Sequence, residues 1–194
     1  YLEGGGTFQG EMKINGKWYY FDEESGKNIT GFKQVGNRIL YYDDQTGEMT
    51  TGEKNIDGSW YLFSTGNGNM VTGWHDFENR KVYYLPTGQM ATGEIEIDGS
   101  WYLFSTSNGR MATGWHDFEN RRVYYLSTGQ MAVGEQKIGK NWYCFEFSNG
   151  NMITGFYNVG MRAVYYDTET GIMRIGEQKI EGKWYYFSSS NGAM

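Results

Sequence analysis

Polar and hydrophobic residues alternate along the chain in pairs of short segments that are joined by two turn residues. In one example, the mostly polar residues 53–56 are followed by Asp57-Gly58 and then by the aromatic residues 60–63. Alternation over a few residues is typical of a half-buried β-strand, and Asp-Gly between two such segments is typical of a type I′ hairpin turn. The pattern therefore predicts a series of β-hairpins and almost no helix.

The hairpin pattern repeats every 20 or 21 residues, and each repeat begins at a glycine. Residues 73–92 and 114–133 are identical at 17 of 20 positions, and residues 52–72 and 93–113 are identical at 16 of 21. The opening glycines are Gly10, Gly31, Gly52, Gly73, Gly93, Gly114, Gly134, Gly155 and Gly176. An isolated hairpin is only marginally stable, so each one must bury a face against its neighbours. We therefore predict an all-β fold, a β-solenoid of stacked β-hairpins.

We expect residues 1–9 to form a flexible lead-in, because three glycines interrupt any period there. Residues 10–194 are predicted to form a single repeat domain with eight complete repeats and an incomplete ninth. Each repeat ends in Gly-x-Met, whose methionine is expected to supply packing, and Ile29 is assigned to this position in the first repeat. Because the chain starts at Tyr1 and stops within a repeat at Met194, we interpret it as a fragment of a longer protein.

Odd and even repeats differ in the residues that they place on their strands. Odd repeats open with Gly-Glu and carry Trp-Tyr-x-Phe on the second strand, whereas even repeats open with Gly-Trp or Gly-Phe and carry Tyr-Tyr there. The even repeats are also expected to have one extra residue before the aromatic strand. The functional unit is therefore predicted to be about 41 residues long, with one odd hairpin followed by one even hairpin.

Composition and charge exclude several classes of partner. The net charge is −6 and the basic residues are dispersed among acidic ones, so no nucleic-acid partner is expected. No apolar stretch reaches the roughly 18 residues of a membrane span, so no membrane insertion is expected. Aromatic residues make up 18% of the chain, which predicts a core of large rings. Cys144 is the single cysteine and has no partner for an internal disulfide.

The sequence does not predict catalysis, a metal site or a cofactor. His75-Asp76 and His116-Asp117 resemble a base with an orienting carboxylate, but the pair occurs twice because its repeat occurs twice. The five Gly-Glu carboxylates share one environment, whereas general acid–base catalysis needs two contrasting environments. Some of these glutamates are expected to attract a cation at a groove. We therefore expect a module that is not an enzyme, with any enzymatic domain elsewhere in the parent chain.

The succession Thr-Gly-Trp, a turn, an aromatic strand and Gly-x-Met-x-Thr-Gly resembles the choline-binding or cell-wall-binding repeat family of Gram-positive surface proteins. The glucan-binding repeats of glucansucrases and the repeats of clostridial toxins share this pattern. The resemblance covers residues 10–194. It implies a left-handed superhelix of stacked hairpins and an extracellular location at the cell wall. The implied partner is choline, as the phosphocholine of teichoic acid, or a wall glycan.

In the choline-binding members of this family, aromatic residues from consecutive hairpins form an open box around the trimethylammonium group. Each ring face attracts a cation by about 0.5–2 kcal/mol, so three walls give roughly millimolar binding. Here no repeat carries both tryptophans of the family pattern, so the boxes are assigned across odd–even pairs. The predicted boxes are Trp18, Phe32 and Tyr42; Trp60, Trp74 and Tyr84; Trp101, Trp115 and Tyr125; and Trp142, Phe156 and Tyr166. Strand alternation instead assigns Tyr61, Phe63, Tyr102 and Phe104 to the core.

Three functions are compatible with the sequence. The first is a non-catalytic cell-wall-attachment module that binds choline through these boxes. The second is a module that binds glucan or another polysaccharide. The third is a structural spacer or protein-interaction rod of a larger surface protein.

Overall fold

The structure is a computed structural model that describes residues 8–194, which form eighteen β-strands in nine antiparallel hairpins. The strands are β1 (Gly10–Ile14), β2 (Lys17–Phe21), β3 (Gly31–Val35), β4 (Arg38–Tyr42), β5 (Gly52–Ile56), β6 (Ser59–Phe63), β7 (Gly73–Phe77), β8 (Arg80–Tyr84), β9 (Gly93–Ile97), β10 (Ser100–Phe104), β11 (Gly114–Phe118), β12 (Arg121–Tyr125), β13 (Gly134–Ile138), β14 (Asn141–Phe145), β15 (Gly155–Val159), β16 (Arg162–Tyr166), β17 (Gly176–Ile180) and β18 (Lys183–Phe187). Residues 8–194 contain no helix. The prediction of an all-β fold made of hairpins is confirmed.

The hairpins group into two compact units. One contains the chain up to Thr92 together with Thr106–Arg110, and the other contains Gly93–Ser105 and Met111–Met194. Residues 1–7 of the expected flexible lead-in lie outside the described part of the chain. The division into a lead-in and one repeat domain therefore stays a prediction.

The turns of the odd hairpins follow the predicted chemistry. Asp57 and Gly58 have φ values of 49° and 84°, so both turn residues lie in the left-handed region. This is the type I′ pattern, which suits Asn, Asp and Gly because they tolerate positive φ. Asn15-Gly16, Asp98-Gly99 and Glu181-Gly182 adopt the same conformation.

Even hairpins have the same dimensions as odd hairpins, with two five-residue strands and a two-residue turn. The extra residue expected before their aromatic strand does not exist, so that prediction is wrong. Lys81 pairs with Asp76, just as Trp60 pairs with Asn55 in the preceding hairpin. Lys81 therefore occupies the position that a tryptophan occupies in the odd hairpins.

Each hairpin has two faces, because successive residues of a strand point to opposite sides and cross-strand partners point to the same side. We call the face that carries the residue after the opening glycine the front face, and the other the back face. Glu53 and Trp60 lie on a front face, whereas Phe63 lies on the back face of the same hairpin. Within each unit, the front face of one hairpin packs against the back face of the next, as Leu62 packs against Tyr84.

The core of each unit contains rings contributed by the last residue of successive second strands. These back-face residues, at most 1% exposed, are Tyr42, Phe63, Tyr84, Phe104, Tyr125, Phe145, Tyr166 and Phe187. Each ring buries roughly 150–250 Å², so one residue per repeat supplies much of the apolar area that a single hairpin lacks.

The Gly-x-Met loops connect consecutive repeats. A Cβ atom on Gly88 would lie 2.2 Å from Met70 Sδ, so only glycine leaves room for the methionine of the preceding repeat. Met70 N also donates to Ile39 O at 2.8 Å, which ties the loop to the preceding hairpin. In the first repeat, Asn28 rather than Ile29 occupies the methionine position and packs on the glycine of the second repeat. The sequence assignment of Ile29 is therefore wrong.

Candidate functional site

Within each unit, two kinds of junction alternate along the hairpins. An odd-to-even junction joins the front face of an odd hairpin to the back face of the next even hairpin, and an even-to-odd junction joins them in the reverse order. The residue after the opening glycine is glutamate in the odd hairpins and tryptophan or phenylalanine in the even hairpins. The first kind of junction is therefore built around a carboxylate, and the second around an aromatic ring.

At an odd-to-even junction, the glutamate is held by an arginine and a tyrosine of the next hairpin. Glu53 forms an ion pair with Arg80 and accepts a hydrogen bond from Tyr84 Oη at 2.9 Å. Burial, and then the hydrogen bond to Glu53, raise the pKa of Tyr84. The same set recurs as Glu11 with Arg38 and Tyr42, Glu94 with Arg121 and Tyr125, and Glu135 with Arg162 and Tyr166. The cation that these glutamates were expected to attract is thus the chain's own arginine.

The four tyrosines that were predicted as walls of ligand boxes offer no surface to a ligand. Tyr42, Tyr84, Tyr125 and Tyr166 are each 0% exposed. Tyr84 lies opposite Gly73, which has no side chain, and it packs with Leu62 of the preceding hairpin. The assignment of these tyrosines to ligand boxes is therefore corrected, because their rings belong to the core.

The tryptophans of the first four odd hairpins lie on front faces at odd-to-even junctions. Trp18 is 40% exposed, and Trp60, Trp101 and Trp142 are each 41% exposed. Trp60 lines a cavity of about 220 Å³ together with Glu53 and Arg80. The exposed face of Trp60 thus lies near the ion pair of its junction.

The predicted boxes are not assembled in the structure. In the set Trp142, Phe156 and Tyr166, Phe156 is a front-face residue and Tyr166 a back-face residue of the same hairpin, because Phe156 pairs with Tyr165 and Tyr166 pairs with Gly155. Trp142 lies on the front face of the preceding hairpin. The same register places Phe32 on the opposite face from Tyr42, Trp74 on the opposite face from Tyr84, and Trp115 on the opposite face from Tyr125.

At even-to-odd junctions, the front-face ring of the even hairpin contacts one tyrosine of its own hairpin and one of the next odd hairpin. Three such clusters, with ring centroids 4.8–5.2 Å apart, are Phe32 with Tyr41 and Tyr61, Trp115 with Tyr124 and Tyr143, and Phe156 with Tyr165 and Tyr185. We name each cluster by its first residue. Trp74 lies 5.1 Å from Tyr83 within its own hairpin.

The clusters are open to solvent on one side. Phe156 is 48% exposed and Phe32 is 46% exposed, although Phe187 beneath the Phe156 cluster is fully buried. A cavity of about 330 Å³ lies beside Phe156 and is also lined by Asn158 and Ala163. An accessible ring supported by buried rings can bind a cation through its face or the apolar face of a sugar.

Two of the even hairpins place a cation of their own over the front-face ring. The Arg122 guanidinium lies 4.8 Å from the centroid of the Trp115 ring, and Lys81 Nζ lies 5.1 Å from that of Trp74. Arg122 Nε is also 3.2 Å from Asp117 Oδ1 on the neighbouring strand. These distances are within the range of a cation–π interaction.

The adjacent His and Asp residues of the even hairpins point to opposite faces. His75 pairs with Val82, whereas Asp76 pairs with Lys81. The two side chains therefore do not form the base–carboxylate arrangement that their sequence suggests. Cys144 is buried at an odd-to-even junction, and this burial raises the pKa of its thiol.

Residues 8–194 contain no group of three or more His, Cys, Asp or Glu side chains that could hold a metal ion. Over the same range, no helix is long and apolar enough to cross a membrane.

Repeated hairpins with aromatic clusters on alternate junctions define a protein built of hairpin repeats, and sequence comparison identifies its family. The choline-binding repeat matches residues 71–113, 112–155 and 153–194, which together cover more than half of the chain. A putative cell wall binding repeat matches residues 13–27. The chain belongs to the choline-binding repeat family, as the sequence resemblance predicted. No curated protein sequence matches the chain significantly.

Solved structures of the same kind are similar over nearly the whole chain. Choline-binding protein F from Streptococcus pneumoniae, solved with a peptidoglycan analogue (tetrasaccharide-pentapeptide), is 29% identical with a TM-score of 0.71, over 91% of this chain and 69% of that protein. The choline-binding domain of CbpL from Streptococcus pneumoniae is 24% identical with a TM-score of 0.71, over 97% of this chain and 98% of that domain. CbpJ from Streptococcus pneumoniae is 22% identical with a TM-score of 0.67, over 96% of this chain and 94% of that protein. The predicted fold class, a solenoid of stacked hairpins, is confirmed.

Sequence reasoning did not predict the tyrosines that complete the aromatic clusters, and it assigned one of them, Tyr61, to the core. They are Tyr41, Tyr61, Tyr124, Tyr143, Tyr165 and Tyr185. The signal that could have found half of them is the hairpin register. Counting outwards from a two-residue turn places Trp74 opposite Tyr83, the first tyrosine of the Tyr-Tyr pair, rather than opposite Tyr84.

Proposed function

We propose that this chain is a non-catalytic attachment module that binds choline groups of a bacterial cell wall through the aromatic clusters at its even-to-odd junctions. The observation that carries the proposal is the Phe156 cluster. Phe156 is 48% exposed, and its ring lies 4.8 Å from Tyr165 and 5.1 Å from Tyr185 of the next hairpin. The cluster therefore presents ring faces from two hairpins to one point at the surface.

A trimethylammonium group suits such a cluster because it is a cation with a methyl surface. Each ring contributes about 0.5–2 kcal/mol through its negative face, and burial of the methyl groups adds to this. Three rings correspond to roughly millimolar affinity at one site. Several weak sites on one chain gain avidity on a polymer that carries many choline groups, so weak single sites are sufficient for attachment.

The family to which the chain belongs supports this proposal, as does its similarity to choline-binding protein F, which was solved with a peptidoglycan analogue. A wall ligand places the module outside the cell, at the cell wall. We propose no catalytic role for it. Four of the five Gly-Glu carboxylates pair with arginines instead, as Glu53 does with Arg80.

One observation favours a second ligand, a wall glycan or other polysaccharide, at the odd-to-even junctions. Trp142 is 41% exposed and lines a cavity of about 410 Å³ with Lys137, Asn141, Gln178 and Ser190. An exposed indole face with polar groups at its rim suits the apolar face and the hydroxyls of a sugar ring.

Calorimetric titration of the chain with choline tests the proposal. We expect saturable binding that weakens at least about fivefold in Phe156→Ala and Tyr185→Ala, because each loses one ring worth roughly 1 kcal/mol. Trp142→Ala is the matched control, since Trp142 is an exposed ring outside the aromatic clusters. If Trp142→Ala lost choline binding and Tyr185→Ala kept it, the result would support the sequence-predicted boxes that contain Trp142 and contradict the proposed site.

The same variants separate choline from glycan. If the chain ignores choline but binds cell-wall oligosaccharides, and only Trp142→Ala weakens this binding, the odd-to-even junctions are the functional sites. Absence of binding to both ligands would refute the attachment function and favour a structural spacer.

A further inference from the structure

One position on the front face of each even hairpin lies beside the aromatic ring of that hairpin. We call it the cover position; it is the second residue of strands β4, β8, β12 and β16, namely Ile39, Lys81, Arg122 and Ala163. Its cross-strand partners are, in the same order, Gln34, Asp76, Asp117 and Asn158. The two hairpins with a tryptophan ring carry an acid–base pair here, and the two with a phenylalanine ring carry a neutral pair.

In the Trp115 cluster, the cover position is filled by a cation. The Arg122 guanidinium lies 4.8 Å from the centroid of the Trp115 ring, and its Nε lies 3.2 Å from Asp117. The carboxylate therefore holds the guanidinium against the ring face that a cationic ligand would use. Lys81 lies over Trp74 in the same way, at 5.1 Å from the ring centroid and 3.9 Å from Asp76.

In the Phe156 cluster, the residue at the cover position is uncharged. Ala163 has only a methyl group, and a cavity of about 330 Å³ lies between it, Phe156 and Asn158. Phe156 is 48% exposed. A trimethylammonium group can therefore reach this ring without displacing any side chain.

We propose that the cover position decides which aromatic clusters accept a quaternary ammonium, with Arg122 closing the Trp115 cluster and Ala163 leaving the Phe156 cluster open. This inference rests on the proposed function, because it assumes that choline binds at these clusters. A second cation near Trp115 must either displace the guanidinium or bear its repulsion, whereas a neutral ligand meets no repulsion. Lys81 closes the Trp74 ring by the same chemistry.

Fluorine NMR of protein labelled with fluorotryptophan can report on the Trp115 cluster alone. The Trp115 resonance is assigned as the one that is missing from the spectrum of Trp115→Phe. In the unsubstituted chain, we expect this resonance to stay in place at choline concentrations that saturate the Phe156 cluster. In Arg122→Ala, it should shift with an affinity at least about fivefold higher, the factor for removing one cation–π contact of roughly 1 kcal/mol. Arg122 is a surface side chain, 44% exposed, so the variant should keep its fold.

Arg122→Lys is the matched control, because it keeps a cation as in the Trp74 hairpin and should leave the cluster closed. Equal choline affinity at Trp115 in the unsubstituted chain, Arg122→Ala and Arg122→Lys would overturn the inference. Calorimetry on Phe156→Ala keeps this failure distinct from that of the proposed function. If Phe156→Ala weakens choline binding, the function stands whatever Arg122 does, and if the unsubstituted chain binds no choline at all, the function itself fails.

Discussion

Replacement of Gly129 by alanine tests whether the methionine–glycine contacts hold the repeats together. Gly129 has φ of +88°, and a Cβ atom added to it would lie 2.2 Å from Met111 Sδ and 2.7 Å from Met111 Cε. The backbone at this point is anchored, because Gly129 N donates to Leu126 O at 2.8 Å. The new methyl group must therefore displace the Met111 side chain rather than move aside.

The magnitude follows from two costs. A non-glycine residue in the left-handed region costs about 1–2 kcal/mol, and overpacking a filled site costs about 1–3 kcal/mol. The sum of about 2–5 kcal/mol corresponds to a fall in melting temperature of roughly 4–20 °C for a chain of this size. Gly114→Ala is the matched control, since Gly114 has φ of +84° and nothing within 4 Å of its added Cβ. It should lose only the backbone part, about 1–2 kcal/mol.

Thermal and urea unfolding followed by circular dichroism measures both variants. Combining Gly129→Ala with Met111→Ala should remove the clash, so the glycine substitution should then cost no more than Gly114→Ala does. If Gly129→Ala melts within a degree or two of Gly114→Ala in the presence of Met111, the reasoning is refuted. The glycine would then be required for its backbone conformation alone.

Three further predictions concern ionisable groups, each checked by unfolding midpoints. Glu94 has a side chain only 20% exposed, and Arg121→Met removes the cation that pairs with it. We expect this variant to lose about 1–3 kcal/mol of unfolding free energy, measured by urea titration. The double variant with Glu94→Gln should regain part of that loss, because it no longer carries the unpaired carboxylate. Burial raises the pKa of Tyr125, so its contribution to stability is complete below the unfolded pKa of about 10 and is lost at higher pH. Melting temperatures should therefore fall above pH ~10, and less steeply in Tyr125→Phe. Hydrogen bonds from Thr170 and Arg174 lower the pKa of Asp167. The contribution of Asp167 to stability is therefore complete above pH ~4 and is lost as the pH falls further. The melting temperature of Asp167→Asn should fall less steeply with decreasing pH below ~4 than that of the unsubstituted chain.

The repeat and the hairpins could be predicted from the sequence because both depend on local chemistry. Asp57-Gly58 specifies its turn since both residues tolerate positive φ, and the alternation around it specifies two strands. The same local reasoning failed at the even hairpins, where an extra residue was assumed. A shift of one position in strand register moves every side chain to the opposite face. Tyr84 was predicted to line a ligand box, but the register of its hairpin places it in the core.

The partners across each junction could not be read from the sequence, because they depend on which face of one hairpin meets the next. The pairing of Glu53 with Arg80 and Tyr84 joins residues 27 and 31 positions apart in the chain. The meeting of Phe156 with Tyr185 is equally non-local. Nothing in either repeat by itself shows that one junction encloses an ion pair and the next an aromatic cluster.

The sequence by itself determined the period, the hairpins, their turns and the family, because each is written within about twenty residues. Only the tertiary structure decided which rings reach the surface together and which are buried. The physical reason is that a two-stranded hairpin cannot bury either face alone, so the environment of each ring is created by stacking. Phe156 is exposed and Tyr166 is buried for this reason, although both belong to one hairpin.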